Sequence, residues 1–142
     1  MRIALLSLFA ILTFSGCKKT YINQTVDQAF SALYTIQPSD WVKGTNTDGT
    51  FYYYINLSVA ELDDQINTHG GVEVYISFDD LNASVKNYET VPEVVDGVAY
   101  GSLHTTGSVT IDLRGADGSS LTSAISIPIT AKIVLIDAKP LD

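Results

Sequence analysis

Four aromatic residues of this chain are candidates for binding a ligand. Tyr52 and Tyr54 lie two positions apart in a stretch that alternates polar and apolar residues, so both are expected on the outward side of a strand. Tyr75 has the same position in another alternating stretch. If these strands are neighbours, the three rings and Trp41 form an aromatic patch that stacks on sugars or anchors a protein partner. The alternative is that the rings pack as cross-strand pairs or against a second sheet.

Oxygen ligands for calcium are concentrated in one polar stretch. Asp79, Asp80 and Asn82 come close together, and Glu89 and Glu93 follow downstream. Carboxylate and carbonyl oxygens are the ligands that calcium prefers. The stretch lacks the Asp-x-Asp-x-Asp-Gly order of a calcium loop, so a solvated acidic loop is the simpler interpretation. We therefore expect no metal and no cofactor.

Catalytic chemistry is not indicated by any motif. His69 and His104 are the two histidines, and their separation is unlike the paired histidines of a metalloenzyme. Neither a Gly-x-Ser-x-Gly elbow nor a Walker loop is present. Paired carboxylates could serve a glycosidase, but a chain with 16 acidic residues always offers pairs. The sequence therefore predicts a protein that is not an enzyme, with an unrecognised hydrolase as a lesser alternative.

The N-terminal residues are typical of an export signal. Arg2 precedes an apolar stretch, and small residues then lead to Cys17, the chain's single cysteine. This arrangement resembles the lipobox of bacterial lipoproteins, in which glycine precedes a cysteine that is lipidated after cleavage. Gly16 matches that glycine, whereas Phe14 stands where the pattern usually has leucine. The resemblance implies that residues 1–16 are a signal peptide and that Cys17 carries acyl chains such as palmitate.

The location of the mature protein also follows from this segment. The apolar run is shorter than the ~20 residues that span a bilayer, and Lys18 and Lys19 end it. The lipobox resemblance implies sorting by the residue after the cysteine, where Asp would retain the protein at the inner membrane. Lys18 implies the outer membrane instead. Related bacteria often export lipoproteins to the cell surface when acidic residues follow the cysteine, and residues 18–21 contain none, so the periplasmic face is favoured over the alternative of the cell surface. Residues 17–28 are then the lipidated cysteine and a polar tether.

Length and charge exclude several classes of protein. The 142 residues are enough for one domain. Without Arg2, the mature chain has 7 basic and 16 acidic side chains, a net charge of −9 with histidine neutral. This charge argues against nucleic acid as a partner and against electrostatic binding to anionic lipid. Membrane attachment is therefore expected through the lipid on Cys17.

The elements that position the candidate residues are short strands. Residues 50–59 are the clearest case, because β-branched and aromatic residues alternate with polar ones throughout. Ala60 to Thr68 is the one predicted helix, with Ser58 as a possible cap, and the stretch 79–96 is expected to be irregular. The other predicted strands are 30–37, one starting at Trp41, 72–78, 98–104, 108–114 and 125–136. About seven strands and one helical turn predict an antiparallel β-sandwich over residues 29–142, Ig-like or jelly-roll-like.

Five of these runs occur in the same order in a known group of proteins. The runs are Ser39–Val42, Phe51–Tyr54, Ala60–Leu62, Gly70–Tyr75 and Lys132–Ile136. Over about residues 33–137 the chain resembles a family of short, uncharacterised bacterial envelope lipoproteins with a single all-β sandwich domain. Because the motifs are strand cores and a glycine turn, the resemblance implies a fold and a lipid-anchored location, and no activity.

Together, these features predict a lipid-anchored, non-enzymatic envelope protein that acts as a binding or structural module. The runner-up hypothesis is a glycan-binding accessory lipoprotein that uses Trp41, Tyr52, Tyr54 and Tyr75. It predicts that these four side chains are exposed, coplanar and in a groove.

Overall fold

Residues 29–138 of the chain are described by a computed structural model. The signal peptide, Cys17 and the tether predicted from the sequence lie outside these residues. The described part contains nine strands, one α-helix and one turn of 3-10 helix at Pro38–Asp40. The strands are β1 (Ala29–Ile36), β2 (Val42–Thr45), β3 (Phe51–Ser58), β4 (Gly71–Ser77), β5 (Glu89–Thr90), β6 (Glu93–Val95), β7 (Val98–Thr105), β8 (Ser108–Gly115) and β9 (Ile129–Ile136), and α1 is Asp64–His69.

Two antiparallel sheets form a β-sandwich, which confirms the predicted fold class. Sheet A has the strand order β1-β9-β4-β5, and sheet B has the order β2-β3-β8-β7-β6. Alternate residues of each strand face the core between the sheets, because side chains in a strand point to opposite faces in turn. In β9, the four inward residues are at most 2% exposed: Ile129, Ala131, Ile133 and Leu135.

Strand β9 is central in its sheet, as its residues predict. It pairs with β1 on one side and β4 on the other. Its predicted start at Ile125 is wrong, because the strand begins at Ile129, directly after Pro128. A proline has no N–H to donate to a sheet ladder, so the strand starts after it. Ile127 consequently lies in the connection before β9 and is 47% exposed.

The hairpin of β7 and β8 is confirmed at its predicted place. Thr106 and Gly107 form the turn, and Gly107 has a φ of 80°, a conformation that favours glycine. Val109, Ile111 and Leu113 of β8 are fully buried, as the alternation predicts.

Two short strands lie in the stretch 79–96, where the sequence predicts irregular structure. β5 pairs with β4 at the edge of sheet A, and β6 pairs with β7 at the edge of sheet B. Pro92 lies between them, at the point where the chain passes from one sheet to the other. Both strands are edges, which is the position in a sheet that tolerates a nearby proline.

The helix begins later than its residues predict. Ser58 is the last residue of β3 and not the cap; the cap is Asp63, whose Oδ1 accepts a hydrogen bond from the Ile66 N–H at 2.8 Å. Gly70 ends the helix and donates its N–H to the Ile66 carbonyl. Leu62 and Ile66 are buried in the core. Among residues 29–138, no helix has the length and apolar character needed to cross a membrane.

Removing the cap should destabilise the fold measurably. We expect Asp63→Ala to lower the free energy of unfolding by about 1 kcal/mol, because the Ile66 N–H loses its acceptor. Urea unfolding of the variant and the parent protein measures the difference. Glu61→Ala is the control, since this exposed residue does not cap the helix. Equal effects of the two substitutions would contradict the capping role of Asp63.

Candidate functional site

Trp41 does not contribute to an exposed aromatic patch. It is 7% exposed and belongs to the hydrophobic core. The residue follows the 3-10 turn and precedes β2, where the chain passes from sheet A to sheet B. Within the described residues its indole Nε1 has no hydrogen-bond partner. The expectation that this ring is available to a ligand is therefore wrong.

Tyr75 lies on the opposite side of the sandwich from the other two tyrosines. Its neighbours Val74 and Ile76 face the core, so the Tyr75 ring lies on the outer face of sheet A. The Lys132 Nζ is 4.5 Å from the centre of that ring and 4.2 Å from the centre of the Tyr88 ring. The predicted patch fails because β3 and β4 belong to different sheets.

Tyr52 and Tyr54 remain together on the outer face of sheet B. Their ring centres are 5.8 Å apart, and the ring planes meet at 34°, so the prediction that these rings are coplanar is wrong. In the strand register, Tyr54 lies opposite Asp112 of β8, and Asp112 lies opposite Gly101 of β7. We call Tyr52, Tyr54, Gly101, Asp112 and Arg114 the sheet B site.

An ion pair holds the polar part of the sheet B site in place. Arg114 donates its Nε–H to Asp112 Oδ2, and its Nη1 donates to Asn46 Oδ1 at 3.1 Å. The guanidinium carbon lies 4.7 Å from the centre of the Tyr52 ring, which adds a cation–π contact. These three contacts fix the guanidinium beside the tyrosine pair, so the site is organised before any ligand binds.

Asp112 offers a hydrogen-bond acceptor although the residue is only 7% exposed. A Cβ at Gly101 would lie 2.6 Å from Asp112 Oδ1, so the carboxylate occupies the space that this glycine leaves. Within residues 29–138, Oδ1 has no hydrogen-bond partner and is not among the buried unpaired atoms. The same holds for the hydroxyls of Tyr52 and Tyr54. Among the described residues, these three oxygens therefore have no competing hydrogen-bond partner.

Sequence reasoning missed Asp112 and Arg114. They occupy the outward positions of β8 beside the buried Ile111 and Leu113. An Asp-x-Arg pair on the polar side of an amphipathic strand was the available signal. This signal is informative only when Gly101 of β7 is known to lie opposite Asp112 of β8. The hairpin turn determines that register.

In the acidic loop at residues 79–87, the carboxylates accept hydrogen bonds from other residues of the same loop. Asp79 Oδ2 accepts hydrogen bonds from the backbone N–H of Asn87 and from its side-chain amide. Asp80 Oδ1 accepts from the Asn82 N–H at 2.7 Å, and the Asp80 carbonyl accepts from Lys86 Nζ at 2.6 Å. Across the part of the chain that the structure describes, no three His, Cys, Asp or Glu residues converge as metal ligands.

The two histidines have ordinary surroundings. His104 is exposed, and its Nδ1 is 2.9 Å from Asn67 Oδ1 of α1. His69 is in the last turn of the same helix.

Glu89 and Glu93 form a pair of carboxyl groups between the edges of the two sheets. Burial, followed by the hydrogen bond with Glu89 and the negative charge of Glu89, raises the pKa of Glu93 from its ordinary value of 4.5 to about 7. Glu93 lies opposite Tyr100 in the register, and its Oε1 is buried. Such a pair is most stable when the two groups share a proton.

The pair should make the stability of the protein depend on pH. The pKa of Glu93 is higher in the folded than in the unfolded state, so stability is lost as the pH rises from about 4.5 through about 7. We expect Glu93→Gln to reduce the difference in unfolding midpoint between pH 5 and pH 8, chiefly by stabilising the protein at pH 8. Thermal unfolding at both pH values measures this, with Glu61→Gln as the control. An unchanged pH dependence in Glu93→Gln would show that the pair does not titrate in this range.

Comparison with known proteins adds no further assignment. No protein-family model, curated protein or solved structure matches the chain. The structure shows that the described part of the chain is a small all-β domain.

Proposed function

We propose that this chain is a lipid-anchored bacterial envelope protein that acts as a non-enzymatic binding module. In this proposal residues 1–16 are removed, Cys17 carries the lipid, and residues 18–28 tether the β-sandwich to the periplasmic face of the outer membrane. The lipobox-like residues before Cys17 and the resemblance to small envelope lipoproteins support it. The sheet B site is the binding surface.

The ligand that best fits the sheet B site is a neutral glycan. The observation that carries this proposal is the Tyr52 and Tyr54 pair beside Asp112, whose Oδ1 is free to accept a hydrogen bond. Sugar rings have C–H faces that pack on aromatic rings and hydroxyl groups that donate to carboxylates. A neutral ligand is favoured because Arg114 already neutralises Asp112 and because the mature chain has a net charge of −9.

The proposal is tested by titrating the mature protein with a panel of neutral oligosaccharides and peptidoglycan fragments. A ligand that binds only the folded state at 100 times its dissociation constant adds about 2.7 kcal/mol of stability, so thermal unfolding detects it. We expect Tyr54→Ala and Asp112→Asn each to weaken binding at least about tenfold, which corresponds to about 1.4 kcal/mol. Both changes leave the inward core residues of β3 and β8 in place.

Tyr75→Ala is the matched control, because it removes the same side chain from the outer face of sheet A. We expect it to leave glycan affinity unchanged. If Tyr75→Ala weakens binding as strongly as Tyr54→Ala, the sheet B site is not where the glycan binds. If no glycan in the panel stabilises the protein, a neutral glycan is the wrong ligand class, and a protein partner becomes the leading alternative.

A further inference from the structure

A cleft of about 600 Å³ opens between the two sheets, away from the sheet B site. Phe78, which follows β4, lines it from the side of sheet A, and Tyr100 and Leu113 line it from the inward side of sheet B. Residues 120–127, in the connection from β8 to β9, form another wall, and Val95, Asp96 and Val98 complete the lining. This volume is in the range of pockets that hold small molecules.

The lining of the cleft is mainly apolar. The Phe78 and Tyr100 rings meet edge to face, with centres 5.5 Å apart and planes at 76°. Tyr100 is 3% exposed and Leu113 is fully buried, so the floor of the cleft belongs to the hydrophobic core. Burial, followed by the charges of Glu93 and Asp96, raises the pKa of Tyr100 to about 12, so its hydroxyl stays neutral at physiological pH.

In the wall formed by residues 120–127, the hydrogen bonds to β3 are made by the first residues of the segment. The Leu121 N–H donates to the Phe51 carbonyl at 3.0 Å, and the Tyr53 hydroxyl donates to the Thr122 carbonyl at 3.2 Å. In the described part of the chain, residues 123–127 have no backbone hydrogen bond to another loop or turn. Ala124 and Ile125 instead pack against the core. Because apolar contacts hold this segment, an apolar ligand can replace them without breaking hydrogen bonds.

The charge at the cleft limits what can bind. Asp96 is the one carboxylate among the lining residues, and within that described lining there is no lysine, arginine or histidine. Asp96 has a φ of 49° and occupies the turn between β6 and β7 with Gly97. The negative charge of the Asp96 carboxylate repels an anionic ligand, and its oxygens can accept a hydrogen bond from a neutral ligand.

We infer that this cleft is a second binding site, for a small, mainly apolar and uncharged molecule with a hydroxyl group. The inference rests on the volume, the apolar lining, the loosely attached wall and the carboxylate of Asp96. It is independent of the glycan proposal, because none of the residues of the sheet B site lines the cleft.

Photolabelling tests the inference with two probes of equal length, a diazirine-bearing ten-carbon alcohol and the corresponding carboxylic acid. The mature protein is irradiated with each probe, supplied from phosphatidylcholine vesicles, and the labelled residues are identified by mass spectrometry. We expect the alcohol to label residues 120–127 at least fivefold more than it labels Leu103, which is 66% exposed outside the cleft. We expect the acid to label the cleft at least fivefold less than the alcohol.

Variants separate binding in the cleft from adsorption on the surface. Ala124→Trp should fill the cleft and remove most of the labelling, whereas Leu103→Trp should leave it unchanged. If Ala124→Trp does not fold, Ile125→Phe serves the same purpose. Asp96→Asn should allow the acid to label as well as the alcohol, because asparagine tolerates the left-handed backbone at this position. Labelling no stronger in the cleft than at Leu103, or unchanged by the filling variant, would overturn the inference.

Discussion

Replacing Cys17 with serine should release the mature protein from the membrane completely. Each buried CH₂ of an acyl chain contributes about 0.8 kcal/mol to membrane binding, and stable anchoring requires more than one chain. The net charge of −9 opposes binding to anionic lipid by electrostatics. Serine has nearly the shape of cysteine and has no thiol to acylate. Metabolic labelling with a palmitate analogue and fractionation of membranes measure both consequences.

Lys18→Asp is the matched control for the anchor. This variant keeps Cys17 and should still incorporate lipid, but the sorting rule that the lipobox implies would retain it at the inner membrane. If Cys17→Ser stays on the membrane, the anchor lies elsewhere. That outcome would leave the sheet B site unaffected, because glycan binding is measured on the β-sandwich itself.

The proposed glycan site is not on the sheet that contains the first described strand. This first strand, β1, is an edge strand of sheet A, whereas the proposed glycan site is on the outer face of sheet B. Eleven tether residues reach at most about 3.3–3.6 Å each when extended.

Residue alternation predicts which residues of a strand face the core. In β8, Val109, Ile111 and Leu113 are buried as expected, and in β9 the residues apolar on both faces correctly indicate a central strand. The predictions succeed because these faces depend on the two-residue period of one strand alone. Alternation does not predict where strands and helices start. β9 starts after Pro128 and α1 starts after its cap Asp63, in both cases later than predicted.

Which residues make up the proposed site depends on which strands pair, and the two-residue period carries no information about pairing. Tyr54 and Tyr75 are both outward, yet β3 and β4 lie in different sheets, so they cannot share a patch. Asp112 belongs to the proposed site because Tyr54 lies opposite it on one side and Gly101 on the other. Contacts of this kind join residues far apart in the chain, and a single sequence does not reveal them.

The β7–β8 hairpin allows a strict test of the two faces of sheet B. Ile111 is fully buried and Leu103 is 66% exposed, although both are four-carbon aliphatic side chains on paired strands. We expect Ile111→Ala to lower the free energy of unfolding by about 2–5 kcal/mol, because it removes buried apolar atoms and leaves a cavity. We expect Leu103→Ala to change it by no more than about 0.5 kcal/mol.

Urea unfolding followed by the fluorescence of Trp41 measures both effects, since this single tryptophan is buried in the same core. Domains of this kind have about 5–15 kcal/mol of stability in total, so the loss in Ile111→Ala will shift the transition clearly. Similar losses of unfolding free energy in Ile111→Ala and Leu103→Ala would mean that other residues bury the outer face of the hairpin as well. In that case Asp112 and Tyr54 would not be accessible, and the sheet B site could not bind a glycan. A large difference between the variants leaves that face open to solvent, which is the condition that glycan binding at Tyr54 and Asp112 requires.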